Sequence, residues 1–154
     1  MKQLEKYAPH LPYELVIERK GVCYTVVGLN YNYIKVLETE YDEFKMKDVK
    51  PYLRPLSQLT KPITQKDYNG GKEFVPIEEI KEWYNYQPSS YIKNLKIIQR
   101  NGIITLFGLE DDESYEVAMS LQAYNFLLKW HFNVTGFAEG EYISVDNNNN
   151  NNPY

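Results

Sequence analysis

Three side chains in the sequence carry the chemistry of nucleophiles, bases or soft-metal ligands: His10, Cys23 and His131. Zinc centres take three or four such ligands, usually at close spacing. These three lie far apart along the chain, which argues against a metal centre built on them. Cys23 sits in Val22-Cys23-Tyr24-Thr25-Val26, a β-branched and aromatic run where a thiol usually serves as a small hydrophobe. To attack a substrate it needs a base beside it, and His131 is the one candidate in an ordered segment. His131 itself stands in Trp130-His131-Phe132, the setting of a core histidine that holds a backbone group.

Oxygen-based chemistry has no better footing. Glu110-Asp111-Asp112-Glu113 bunches four carboxylates, yet it lacks the alternating ligands and the glycine of a calcium loop. It reads as a solvated hairpin tip. Asn69-Gly70-Gly71-Lys72 has neither the spacing nor the following helix of a phosphate cradle. Nucleophile elbows, kinase motifs and deaminase motifs are missing from the sequence. The expectation is a non-enzymatic protein with no metal and no cofactor. Pro9-His10-Leu11-Pro12 has the spacing of a proline-rich ligand, but a helix-to-strand connector accounts for it. Asn133-Val134-Thr135 has the glycosylation spacing, which has no meaning in a cytoplasmic chain.

Binding chemistry has more to work with. Lys45, Lys47, Lys50 and Arg54 are interleaved with Phe44 and Tyr52, and an exposed basic row on a strand can track phosphates. Glu38, Glu40, Asp42 and Glu43 immediately precede the row. In a hairpin Glu38 is expected opposite Lys45, cancelling it, so a mixed-charge edge is preferred over a nucleic-acid surface. The Leu53-Arg54-Pro55-Leu56-Ser57 loop is a natural place for recognition on a rigid scaffold. Lys45, Lys47, Tyr52, Arg54 and Ser57 are therefore the candidate binding residues.

The 154 residues are 43% hydrophobic and 25% charged, a globular balance for one domain. No apolar run is long enough to span a bilayer, and Met1–Lys6 lacks the apolar core of a signal peptide. With a single cysteine, these features point to the cytoplasm. Net charge is −4, unevenly spread: residues 1–66 hold 11 Lys/Arg against 8 Asp/Glu, whereas residues 110–154 hold 1 against 8. Such a polar molecule can offer its acidic end to a basic partner. Fifteen tyrosines fit A/T-rich coding, and they also fit a recognition surface of rigid, amphipathic side chains.

The elements that must position these residues read as α+β. A short helix begins near Leu4 and stops at Pro9 or Pro12. A meander over 13–47 supplies up to four strands, with Gly21 at its first turn. Pro51, Pro55 and Pro62 make residues 50–64 mostly irregular, apart from one helical turn after Pro55 capped by Ser57. Pro76 opens a helix over 76–85. Asn101-Gly102 marks a hairpin that places Ile98 opposite Thr105 and Ile97 opposite Leu106. A third strand over 114–119 then sets Val117 opposite Leu106 and Met119 opposite Ile104. Ser120 caps a helix over 121–132 whose buried stripe is Leu121, Tyr124, Leu128 and His131, ended by Gly136. A last short strand lies at 142–145. The expected plan is two small antiparallel sheets (13–47 and 95–119) with helices near 76–85 and 120–132, in one domain over 1–146. Residues 147–154, an asparagine tract with a Pro-Tyr end, are expected to be a disordered tail.

Four segments in this order resemble small uncharacterised proteins of Bacteroides-type bacteria, their prophages and their phages. They are Leu11-Pro12-Tyr13-Glu14-Leu15, the stretch from Lys50 to Thr60 containing Leu53-Arg54-Pro55-Leu56-Ser57, Asn69-Gly70-Gly71-Lys72-Glu73-Phe74-Val75-Pro76-Ile77-Glu78, and the stretch from Leu127 to Gly136. The polyasparagine ending departs from that pattern. The resemblance implies a small accessory protein of phage or mobile-element origin and carries over no site residue. The resulting expectation is a cytoplasmic, non-enzymatic module that binds a protein. The alternatives are a small-molecule or nucleotide binder with a tyrosine-lined pocket, or a weak nucleic-acid binder.

Overall fold

Lys20 and Gly21 both take positive φ, 53° and 81°, the conformation that gives a two-residue turn the twist of its flanking strands. Strand β1 (Val16–Arg19) therefore folds directly onto β2 (Val22–Asn30), with Arg19 opposite Val22. The computed structural model describes residues 3–39, 43–64, 71–85, 92–100, 103–110, 113–145 and 152–154. A second turn at Tyr31 leads into β3 (Tyr33–Val36), and β4 (Glu43–Lys45) pairs with β3 in turn. The meander expected over 13–47 is thus present as four consecutive antiparallel strands.

A fifth strand was not expected. β5 (Lys50–Leu53) returns beside β1, with Ile17 opposite Pro51 and Glu18 opposite Lys50. Pro51 had marked this stretch as irregular, but a proline is tolerated where its missing N–H would have pointed away from the neighbouring strand. Between β4 and β5 stands only a 3-10 turn, Met46–Asp48. Five residue steps reach at most ~17 Å, and the 3-10 turn shortens that reach. Crossing a flat sheet from β4 past three strands to β5 would need ~19 Å at the usual spacing. The sheet must coil, and the register shift in β2 between Val26 and Gly28 supplies the bend. Inside the coil lie Leu15, Ile17, Val26, Ile34, Val36, Phe44, Met46, Val49 and Leu53, all buried. The N-terminal helix α1 (Gln3–Tyr7) covers one side and passes into a 3-10 segment (Ala8–Tyr13) that carries Pro9 and Pro12.

The second half builds a separate apolar cluster. Helix α2 (Pro76–Tyr84) begins with proline at its first turn, and Ile77 and Ile80 are buried. Strands β6 (Asn94–Arg100), β7 (Ile103–Glu110) and β8 (Glu113–Val117) form a three-stranded antiparallel sheet. The anticipated pairs Ile98 with Thr105, Ile97 with Leu106 and Leu106 with Val117 are present, whereas Met119 with Ile104 is not, because β8 ends at Val117. The Asn101-Gly102 and Asp111-Asp112 turns lie outside the described residues. Helix α3 (Leu121–Lys129) is capped by Ser120, whose hydroxyl accepts from the Ala123 N–H at 3.1 Å. Its buried face is Ala123, Phe126, Leu127 and Leu128. Leu121 is 75% exposed, so the expected stripe was rotated on the helix. The turn after Pro55 is a 3-10 helix, Leu56–Thr60, without a side-chain cap from Ser57.

The two halves join at β5. Strand β9 (Ile143–Ser144) pairs with it in parallel, giving a six-stranded sheet of order β4-β3-β2-β1-β5-β9. Beyond β5, Arg54 bridges to Phe132: its N–H donates to the His131 carbonyl at 2.7 Å, and its own carbonyl accepts from the Asn133 N–H at 2.8 Å. The fold is α+β, with one antiparallel and one mixed sheet. Of the segment expected to be a disordered tail, residues 147–151 lie outside the described residues. Asn152–Tyr154 are described, and there the structure departs from that expectation, because Tyr154 is packed.

Candidate functional site

Helix α3 ends in a way that places His131. The His131 N–H donates to the Leu128 carbonyl at 2.9 Å and the Phe132 N–H to the Leu127 carbonyl at 2.9 Å. This is the paired closure in which the residue just past the helix takes left-handed φ, a position that favours glycine. Here the residue is His131, at φ 57°. The expected stop at Gly136 comes too late; the helix ends at Lys129 and His131 makes the turn. A non-glycine residue held in this region costs about 1 kcal/mol or more and marks a place to look for function.

The turn delivers the imidazole to a cavity of about 590 Å³ at the seam between the halves. Pro12, Tyr13 and Glu14 line it from the N-terminal connector, Val16 and Thr25 from β1 and β2, Arg54 from the end of β5, and Lys129, Trp130 and His131 from the end of α3. Pro153 and Tyr154 also line it. The Tyr154 ring stacks on His131 with centroids 3.6 Å apart and planes inclined by 7°. Its hydroxyl donates to the Tyr52 carbonyl at 2.9 Å and accepts from the Val16 N–H at 3.3 Å. Tyr154 keeps part of its surface in solvent, yet burial pushes its phenol above the usual range, against the opposing pull of the Val16 N–H and the Arg54 guanidinium.

Both histidines are buried and uncharged near neutral pH. Burial, helped by His10 and the Arg54 guanidinium, pushes His131 down to about 3, and burial pushes His10 down to about 4. His10 Nε2 meets the Thr135 hydroxyl at 3.2 Å, while Nδ1 of each histidine has no hydrogen-bond partner. Burial also lowers the Arg54 guanidinium from its ordinary value.

The candidate residues divide. Arg54 lines the cavity, and the Tyr52 carbonyl accepts from the Tyr154 hydroxyl beside it. Arg54 is 1% exposed, so the reading of it as a surface residue is corrected: its backbone pairs with residues 131–133 and draws the side chain inside. Lys45 and Lys47 are exposed and line a different recess with Gln3, Asn32 and Tyr33, beside the far edge strand β4. Ser57 is exposed and outside the cavity lining. Lys45 faces Tyr33 across the β3–β4 pair, not Glu38; the Glu38 carboxylate accepts instead from the Thr25 N–H at 2.9 Å. Cys23 is exposed, with its thiol 3.4 Å from the Tyr52 hydroxyl, a contact that with burial pushes that phenol up to about 12. Sequence reasoning missed Tyr154. The only local signal was an aromatic residue placed directly after a polar tract.

Among the described residues no cluster of three or more His, Cys, Asp or Glu could hold a metal ion, and no helix is long and apolar enough to cross a membrane. No family model, no curated protein and no solved structure matches the chain. The fold defines it as an α+β protein, with the Tyr154 ring stacked on His131 at the seam.

Proposed function

We propose that this chain is a non-enzymatic, cytoplasmic protein-binding module, and that a partner inserts an aromatic side chain into the seam cavity. The observation that carries the reading is the parallel stack of Tyr154 on His131. The cavity accepts a tyrosyl ring with good geometry, and Tyr154 acts as a stand-in for the partner's side chain. A general base works best near the operating pH. His131 and His10, held near 3 and 4 by burial, are poorly suited to that task, whereas a neutral imidazole is a good stacking surface. The resemblance to small proteins of Bacteroides-type mobile elements is consistent with a role exercised by binding.

A second reading has its own support. A nucleobase can stack where Tyr154 does, and Lys129 and Arg54 in the lining suit a phosphate. Tyr154→Ala opens the cavity and allows both to be tested by thermal shift, since a ligand that binds only the folded state raises its melting temperature. An N-acetylated, C-amidated Asn-Asn-Pro-Tyr peptide at millimolar concentration is expected to raise it. A shift with adenosine monophosphate and none with the peptide selects the nucleotide reading. No shift with either removes both.

A further inference from the structure

The end of the Tyr154 side chain occupies a defined gap in the sheet. Strands β1 and β5 pair at Glu18 with Lys50 and at Ile17 with Pro51, a register that brings Val16 opposite Tyr52 next. Backbone groups alternate in direction along a strand. The Leu15 carbonyl faces β2, where it accepts from the Val26 N–H at 2.8 Å, so the Val16 N–H faces β5. Val16 and Tyr52 nevertheless do not pair. The Tyr154 hydroxyl stands between them, accepting from one and donating to the other. A phenolic O–H replaces one rung of the ladder.

We infer that this interrupted rung is a hydroxyl-reading subsite, so the site's ligand is an unmodified tyrosyl side chain rather than a phenylalanyl or phosphotyrosyl one. The inference rests on the aromatic-binding reading above and sharpens it. The gap presents one donor and one acceptor, and a hydroxyl is the small group that satisfies both. Phenylalanine fits the ring site but leaves the Val16 N–H and the Tyr52 carbonyl facing hydrocarbon, the situation in which a polar site rejects an apolar analogue. A phosphate ester has only acceptor oxygens and carries close to two negative charges, so the Tyr52 carbonyl would face an acceptor. The same chemistry predicts that phosphorylating Tyr154 itself expels it from the cavity.

The test uses the full Tyr154→Ala chain and three acetylated, amidated peptides ending in Tyr, Phe or phosphotyrosine after Asn-Asn-Pro. The tyrosine peptide is expected to bind about tenfold or more tightly than the phenylalanine peptide, the discrimination that one unmade pair of hydrogen bonds supports. The phosphotyrosine peptide is expected to give no binding at millimolar concentration. Equal binding of the Tyr and Phe peptides overturns the hydroxyl-reading inference and leaves the aromatic-binding reading standing. If no peptide binds to the folded variant, the inference falls together with the aromatic-binding reading; if that variant does not fold, the test passes to the intact chain and Tyr154→Phe. There the Val16 amide is expected to exchange with solvent about tenfold faster than in the parent, as a lost hydrogen bond implies. Unchanged protection of Val16 overturns the inference by itself.

Discussion

The two apolar cores and the seam between them are built from different materials. The first core, inside the coiled strands, and the second, between α2, α3 and the three-stranded sheet, are made of aliphatic and aromatic side chains. Five polar side chains are buried among the described residues: His10, Arg54, Gln58, His131 and Thr135. Arg54 and His131 line the seam cavity, and His10 meets Thr135 at 3.2 Å. Apolar burial scales with area and is indifferent to partner identity, so it assembles each half. Buried polar groups carry a penalty unless they are satisfied, so Arg54 and His131 at the seam contribute less net stability than an apolar core of similar size.

The contrast can be broken by mutation and by acid. The largest effect is expected from Phe132→Ala. Phe132 is fully buried in the second core, and truncating such a ring costs about 3–5 kcal/mol. Urea denaturation at pH 8 and at pH 5 should give the same loss, because no titrating group is removed. A loss below about 1 kcal/mol would place Phe132 outside the load-carrying core.

Acid acts first on the two buried histidines. In the unfolded chain both histidines titrate near 6.5, and in the folded protein near 4 and 3. Above pH 6.5 neither state binds the protons and stability is flat. As pH falls below 6.5 the unfolded chain takes up protons that the folded one refuses, so stability drops. The slope is at most about 1.4 kcal/mol per pH unit for each histidine. His10 stops contributing near pH 4, and His131 continues to about 3. The Glu141 carboxylate, held ionised by Lys6 at 2.6 Å, adds its own loss only below 4.5. Urea midpoints at pH 8, 7, 6 and 5 check this, and a curve flat from 7 to 5 would contradict buried, neutral histidines. The smallest effect is expected from Gln58→Leu. Its amide donates to the Val145 carbonyl at 2.7 Å, but its own oxygen has no partner. Loss of a bond and removal of an unsatisfied atom oppose each other, leaving a change within about 1 kcal/mol of either sign.

The parts legible in the sequence were those fixed by neighbours along the chain. A two-residue turn sets the register of everything beyond it, so Ile97 and Leu106 and then Leu106 and Val117 could be paired from the sequence alone. Ser120 was readable as a cap because capping is a local hydrogen bond. β5 was missed because Pro51 breaks most strands, and its tolerance depends on which way its nitrogen faces in a sheet assembled from afar. Arg54 was read as exposed, as arginine usually is; its burial follows from a bridge to Phe132, 78 positions along the chain by their numbering. The cavity was the least legible part. His131 was placed on a helix where the helix has already ended, and Tyr154 was hidden behind an asparagine tract that gives no periodic signal.

The central claim is that the imidazole face of His131 is a seat for an aromatic ring. It is tested most directly by the His131 ring-proton resonances, which a stacked ring displaces. Removing Tyr154 by substitution with alanine should move them, and saturating that variant with the Asn-Asn-Pro-Tyr peptide should return them toward their positions in the intact chain. Resonances that move on substitution but stay put at millimolar peptide would contradict the claim.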